Sequence, residues 1–138
     1  MSISEIVLQV IRGLNLVPSQ NVRIKEIADT DFDGITKILI SEGAAVPEDV
    51  HQFGVLSQRT TLDVFLLSAN RQQADSVLAS VILALQNGFR RRERQYNTGN
   101  TAAGIMSAEL SGKTIINIPN RQEFQGSVSF SILHNFGL

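Results

Sequence analysis

The sequence lacks cysteine altogether, and it has only two histidines among its 138 residues. Without cysteine there are no disulfides, no thiolate chemistry and no cysteine-based zinc site. The two histidines, His51 and His134, lie far apart in the sequence, which disfavours any other zinc centre. We therefore expect neither a transition metal nor any other cofactor.

Long apolar runs are also missing, since no stretch approaches the roughly 18 residues that a membrane-spanning helix needs. The amino terminus has no basic region followed by a small-residue cleavage site, so we expect no secretory signal and a protein that stays inside a cell. The chain is 43% hydrophobic and 18% charged, as in ordinary globular proteins. Its length suits a single domain over residues 1–138.

Motifs for catalysis are absent as well. There is no G-x-S-x-G nucleophile elbow, and neither histidine has an evident catalytic partner. Glu48 and Asp49 are adjacent, so their carboxylates point apart in an extended chain and do not form an acid–base pair. The glycine-containing stretch at 99–104, "GNTAAG", lacks the Lys-Ser/Thr ending of a phosphate-binding loop. We therefore expect that the protein is not an enzyme.

The stretch "DTDFDG" resembles the start of a calcium-binding EF-hand loop. Asp29, Asp31 and Asp33 occupy the first three ligand positions, and Gly34 occupies the position of the required glycine. The position of the bidentate glutamate is taken by Ile40, and a β-branched segment follows where the motif has a helix. We therefore interpret these residues as a solvated acidic turn that leads into a strand.

Two segments have apolar residues at helical spacing. The first covers residues 3–16, with Ser2 or Ser4 as N-cap, and the second covers residues 70–87, with Asn70 as N-cap. Each has one apolar stripe, which predicts a helix packed on a core. The stripes are Ile3, Ile6, Val7, Val10, Ile11 and Leu14 in the first helix, and Ala74, Val77, Leu78, Val81, Ile82 and Leu85 in the second.

Strands are predicted at residues 22–27, 35–40, 60–69, 113–118 and 127–134. In the second half of the segment 60–69, residues at both odd and even positions are apolar, which predicts a strand in the middle of the sheet. The order of elements predicts an α+β fold, with a mainly antiparallel sheet of four to five strands and two helices packed on it. Glycine, proline and polar residues interrupt any period at 41–59 and 88–112, which we predict to be long loops.

A basic cluster lies within the second of these loops. It consists of Arg90, Arg91, Arg92, Arg94 and Tyr96. One interpretation is a solvated face of an extended helix. The other is a contact patch for an acidic protein surface or a phosphate backbone, with Tyr96 available to stack on a base. Because the rest of the chain is acidic, the cluster favours local docking over general coating of nucleic acid.

The organisation of the chain resembles the tail terminator, or tail completion, proteins of long-tailed bacteriophages, which are also called minor capsid or minor tail proteins. The resemblance covers most of the chain. An amino-terminal helix precedes a strand pair, and "VPEDVHQFGVLSQRTTLDVFLLSANRQQADSVLASVILAL" gives a proline-containing loop, a strand and a long helix. Gln58 and Arg59 before the central strand, and the closing hairpin, are similar too.

This resemblance implies a virion structural protein that forms a ring, commonly a hexamer, capping the tail tube and offering a joining surface to the head. The implied partners are copies of itself, the tail tube protein and a head completion or connector protein. The implied location is the virion tail, assembled in the host cytoplasm. The apolar residues Phe136 and Leu138 are candidates for the subunit interface. The alternatives are a head-to-tail connector (neck) protein, or a small nucleic-acid-binding module that uses the arginine cluster.

We predict that the acidic turn is not a strong calcium site, because the bidentate ligand is missing. Titration calorimetry with calcium should show no saturable heat in the roughly micromolar range where sensor loops bind. A micromolar transition that disappears in Asp31→Ala would contradict this interpretation.

Overall fold

The computed structural model describes residues 2–25, 33–51, 54–88, 105–118 and 122–135. These residues form two α-helices, one five-stranded sheet and a short 3-10 turn at Ser19–Asn21. The elements are α1 (Ile3–Gly13), β1 (Val22–Ile24), β2 (Lys37–His51), β3 (Gly54–Ser68), α2 (Arg71–Gly88), β4 (Ile105–Asn117) and β5 (Phe124–Asn135). The predicted α+β class is confirmed.

The strands lie in the order β1-β2-β3-β5-β4. Strand β1 is parallel to β2, and every other pair of neighbours is antiparallel. The prediction that residues 60–69 form the middle of the sheet is confirmed, because β3 is the central strand. The sheet is therefore mainly antiparallel, as its sequence pattern predicted.

Capping side chains fix where the two helices begin. Ser2 accepts a hydrogen bond from the Glu5 N–H at 3.3 Å, so the first of the two predicted N-caps starts α1. The Oδ1 of Asn70 accepts from the N–H groups of Gln72, at 2.8 Å, and Gln73, at 3.2 Å, as an N-cap of α2 should. Helix α1 ends at Gly13, earlier than predicted.

Both helices cover the same face of the sheet. Helix α1 contacts β1 and β2, while α2 contacts β3, β4 and β5. In β5 every second residue points into this core, which confirms the alternation of apolar and serine residues. The buried side chains of the central strands are Ile38, Ile40, Leu62, Val64, Leu66, Val128, Phe130 and Ile132. No described helix covers the opposite face, which we call the helix-free face.

The close approach of α2 to the sheet depends on Gly126. A Cβ added at this position would lie 2.5 Å from Cδ1 of Leu78, well inside van der Waals contact. Leu78 is 1% exposed and belongs to the main core cluster. The missing side chain on β5 therefore makes room for the middle of the α2 stripe.

The prediction of a loop at 41–59 is wrong. Strand β2 continues to His51 and β3 begins at Gly54, so these residues form a long hairpin. Its register shifts between Glu42 and Ala45, and again around Asp49. Such bulges admit extra residues into a paired strand and break its two-residue period. The sequence consequently looks irregular although its backbone is paired.

The second predicted loop, 88–112, is wrong over its last part. Strand β4 begins at Ile105 and pairs with β5 along its whole length. Its register shifts between Ile105 and Ser107 and between Leu110 and Gly112, which again hides the alternation. Residues 89–104 lie outside the described part of the chain.

The packing of Leu78 against Gly126 predicts coupled mutational effects. Leu78→Ala should lower the free energy of unfolding by about 2–5 kcal/mol, because it leaves a cavity. Gly126→Ala should lower it by about 1–3 kcal/mol through overpacking. The double variant should lose less than the sum, since the new methyl group occupies space that Leu78 vacated. Denaturant unfolding of the three variants measures this, and additive losses would show that the two residues do not compete for space.

Candidate functional site

The helix-free face carries a polar cluster where β3, β5 and β4 lie side by side. Register sets Asp63 directly opposite Ser129, whose hydroxyl donates to the Asp63 carboxylate. The Arg59 guanidinium donates to the Ser131 hydroxyl at 3.5 Å and lies 3.8 Å from the Glu109 carboxylate. Each charge in this cluster therefore has a polar partner on another strand of the sheet. These contacts link strands across the surface of the sheet and do not form a pocket.

The same face is apolar further along the strands. Leu39, Phe65 and Leu67 line a cavity of about 320 Å³, together with Lys25 and Gln125. The Lys25 ammonium lies 4.2 Å from the centroid of the Phe65 ring, within the range of a cation–π contact. Leu39 is 1% exposed, so its side chain is buried at the wall of the cavity. The arrangement can accommodate apolar groups but holds no cluster of acid–base residues.

The described part of the acidic turn, Asp33 and Gly34, leads directly into β2. Asp33 accepts a hydrogen bond from the Ile35 N–H at 3.1 Å, and its other oxygen lies 2.9 Å from the Lys37 ammonium. Gly34 has φ of 88°, which glycine adopts without strain. The hydrogen bond from Lys37, followed by that from Ile35, lowers the pKa of the Asp33 carboxyl. This carboxylate already has a cationic partner.

The other two aspartates of the calcium-like motif, Asp29 and Asp31, lie outside the described residues. Within the described ranges, no three histidine or carboxylate side chains cluster closely enough to hold a metal ion. The Asp33 contacts are those of a turn entering a strand.

His134 has a partner that the sequence did not reveal. Its Nε2 lies 2.6 Å from the Thr60 hydroxyl, and both residues are buried on the helix-covered side of the sheet. The pairing of Thr60 with Ile132 in the β3–β5 register brings the two side chains together. This is a structural contact in the core. The backbone of His51 lies in β2, at the far end of the hairpin.

The residues predicted to bind partners all lie outside the described ranges: Arg90, Arg91, Arg92, Arg94, Tyr96, Phe136 and Leu138. The structure does show where their segments join the sheet. Ile105 pairs with His134, and Asn135 pairs with Ser57. The segment with the arginines therefore rejoins the sheet at the end where the segment with Phe136 leaves it. The β2–β3 hairpin projects from this same end.

The described helices were also compared with the requirements of a membrane span. None of them is both long enough and apolar enough to cross a bilayer.

The ion pair of Asp33 predicts a small pH dependence of stability. A lowered pKa in the folded state stabilises it above the unfolded value of 3.8, and this contribution is lost as pH falls through the folded pKa. Asp33→Asn should therefore melt below wild type above about pH 4, and the difference should shrink as the pH falls below that value. Lys37→Met, which removes the main cause, should behave in the same way. A difference that stays constant with pH would contradict this prediction.

Comparison with solved structures gives information about the fold. The structure is similar to a chain of the virion of native gene transfer agent (GTA) particle, with a TM-score of 0.58 and 13% sequence identity. The similarity covers 94% of this chain and 91% of that chain. The sequence matches no protein-family model and no curated protein. The two chains therefore share a fold over nearly their whole lengths.

Proposed function

We propose that the chain is a structural component of a phage-like virion. The observation that carries this proposal is the similarity to a chain of the gene transfer agent virion, which covers 94% of this chain and 91% of that chain. Because almost the whole of both chains corresponds, the proposal concerns the complete fold and not a common fragment. Fold alone does not determine function, so the assignment needs support from the surfaces.

The proposed role is structural and not enzymatic. The polar side chains that might do chemistry are engaged with each other in the described structure. His134 contacts Thr60 in the core, Asp33 pairs with Lys37, and Ser129 donates to Asp63. These contacts order strands and turns. They support a protein whose surfaces, rather than a pocket, carry its function.

Within the virion, we infer that the chain is a tail terminator. It would form a ring, commonly a hexamer, on the end of the tail tube and present a surface to a head completion or connector protein. The end of the sheet that carries the β2–β3 hairpin supports this role. There β4 begins after the segment with the arginines, and the neighbouring strand β5 ends just before Phe136. The hairpin and the points where these two segments meet the sheet lie together at one end, which suits docking onto a larger assembly.

The arginine cluster is the proposed contact with the tail. Charges of one sign at an exposed rim speed encounter with an acidic partner more than they tighten the final complex. The same cluster supports a second candidate, a nucleic-acid-binding module, because arginines also bind phosphates. A head-to-tail connector protein is the alternative role within a virion.

The proposed role is tested by adding the purified, labelled chain to tail tubes of its own virus that lack a cap. Electron microscopy should show label at one end of each tube, as a ring. The triple variant Arg90→Glu, Arg91→Glu, Arg92→Glu should keep its melting temperature but cap more slowly, most visibly at low salt. Arg71→Glu, an exposed reversal on α2, is the control and should cap normally.

Label along the tube wall or on the head would contradict the terminator assignment. Label at the connector of the head would favour the neck protein. If the wild-type chain binds duplex DNA with steep salt dependence, and the triple variant loses this binding, the nucleic-acid module would replace the virion role.

A further inference from the structure

The outer edge of β4 pairs with no strand in the described part of the chain and carries few of the features that protect sheet edges. Strand β4 is the last strand of the sheet, so its outer side pairs with no described strand. Residues 112–117 pair with β5 without irregularity, and Ile116 is 53% exposed. The one charge in this stretch, Lys113, is drawn towards α2 by Asp75 at 2.9 Å. Natural sheets usually protect such an edge with charge, proline or a bulge.

At the other side of the sheet, β2 is paired on its outer side over only part of its length within the described residues. Strand β1 pairs with β2 only at Ile38, Leu39 and Ile40, and Lys25 adds one backbone bond to Ile40 at 2.8 Å. From residue 41 onward no described strand pairs with the outer side of β2. Residues 43–45 are small, Gly-Ala-Ala, and lie at the register shift between Glu42 and Ala45, so this edge carries one bulge and one charge, Glu42, which accepts a hydrogen bond from the Ser4 N–H. Pro47 then removes a backbone donor, which limits any added pairing to residues 41–46.

Strand direction makes these two edges compatible. Strands β2 and β4 are separated by β3 and β5 through three antiparallel pairings, so they run in opposite directions. A second copy rotated about an axis inclined to the strands would therefore bring its β2 antiparallel to β4, displaced along the strand direction. In the second copy, β1 already pairs with Ile38 to Ile40 of β2. The two copies would therefore be shifted along the strands, so that β4 of the first copy meets residues 41–46 of the second.

The exposed side chains on the two edges agree with this pairing. Val46 is 57% exposed and lies opposite Arg59, whose side chain contacts Ser131 on the helix-free face. Ile116 lies opposite Gln125 on the same face. A continued sheet would therefore cover both aliphatic side chains on one side. Self-pairing of two β4 strands would cover Ile116 alone and would use one edge twice, which closes a two-fold dimer.

We propose that the open edge of β4, residues 112–117, binds the β2 edge, residues 41–46, of a second copy of this chain in a head-to-tail contact. This inference rests on the proposed ring, because a cyclic assembly needs two different surfaces on each copy. It specifies which two surfaces meet. Each contact joins two sheets into one antiparallel sheet across the subunit boundary.

The test uses variants that each damage one edge. Ile116→Lys damages the β4 edge, and Val46→Lys damages the β2 edge. Leu83→Lys is the matched control, since Leu83 is 60% exposed and lies on α2 rather than on either edge strand. Thermal unfolding checks that each variant folds. Thr114→Lys serves as a second β4 variant, because Thr114 is also exposed.

Sedimentation velocity should show wild type and Leu83→Lys as oligomers, and each edge variant as a monomer of 15.1 kDa. An equimolar mixture of the two edge variants should form dimers and nothing larger, because one intact β4 edge then meets one intact β2 edge. This complementation does not depend on the register of the contact.

Other outcomes overturn the proposal. If Val46→Lys associates like wild type while Ile116→Lys does not, two β4 edges pair with each other. If both variants associate normally, the contact lies elsewhere. Wild type that stays monomeric up to about 1 mM rules the contact out.

If the edge variants still cap tail tubes as rings, the terminator role stands and only the edge contact fails. If complementation succeeds but no label reaches tails, the terminator role fails alone.

Discussion

The packing of α2 across β3 and β5 is the contact on which the rest of the structure depends. Its stripe of Leu78, Val81 and Leu85 is buried, and Gly126 leaves the space in which Leu78 sits. Each fully buried large aliphatic side chain contributes about 1.5–3 kcal/mol. Since the chain has no cysteine, no disulfide supplements this source of stability. Helix α1 extends the same core over β1 and β2.

Placing both helices on one face determines what remains for other molecules. The helix-free face is ordered by contacts between neighbouring strands, such as Ser129 with Asp63 and Arg59 with Ser131. These contacts hold the strands in place on a face that no described helix covers. Its two outer edges differ in length, direction and protection. Such a difference suits a head-to-tail contact, which is the kind that the proposed ring requires.

Polar groups of the described structure pair with one another, in the core and at the surface. Buried polar atoms in a protein need partners, and here Thr60 and His134 supply them to each other inside the core. Exposed carboxylates such as Asp33 and Asp75 lie beside lysines, and the pKa of each is lowered by that neighbour. Pairs of this kind at the surface contribute little to stability. They do orient side chains. The Lys113 ammonium lies towards Asp75 on α2, so it does not protect the β4 edge with a free charge.

The sequence by itself determined the elements whose signal is local. Helical spacing predicted α1 and α2, and the alternation of serine with Val128, Phe130 and Ile132 predicted β5, because these patterns depend only on which face is buried. Only the tertiary structure decided the elements whose signal is non-local. Residues 41–51 and 105–112 look irregular, and their pairing depends on bulges that a partner strand must accommodate. The contact of His134 with Thr60, and the edges of β2 and β4 that no described strand pairs with, likewise follow from strand order and register, which no single segment specifies.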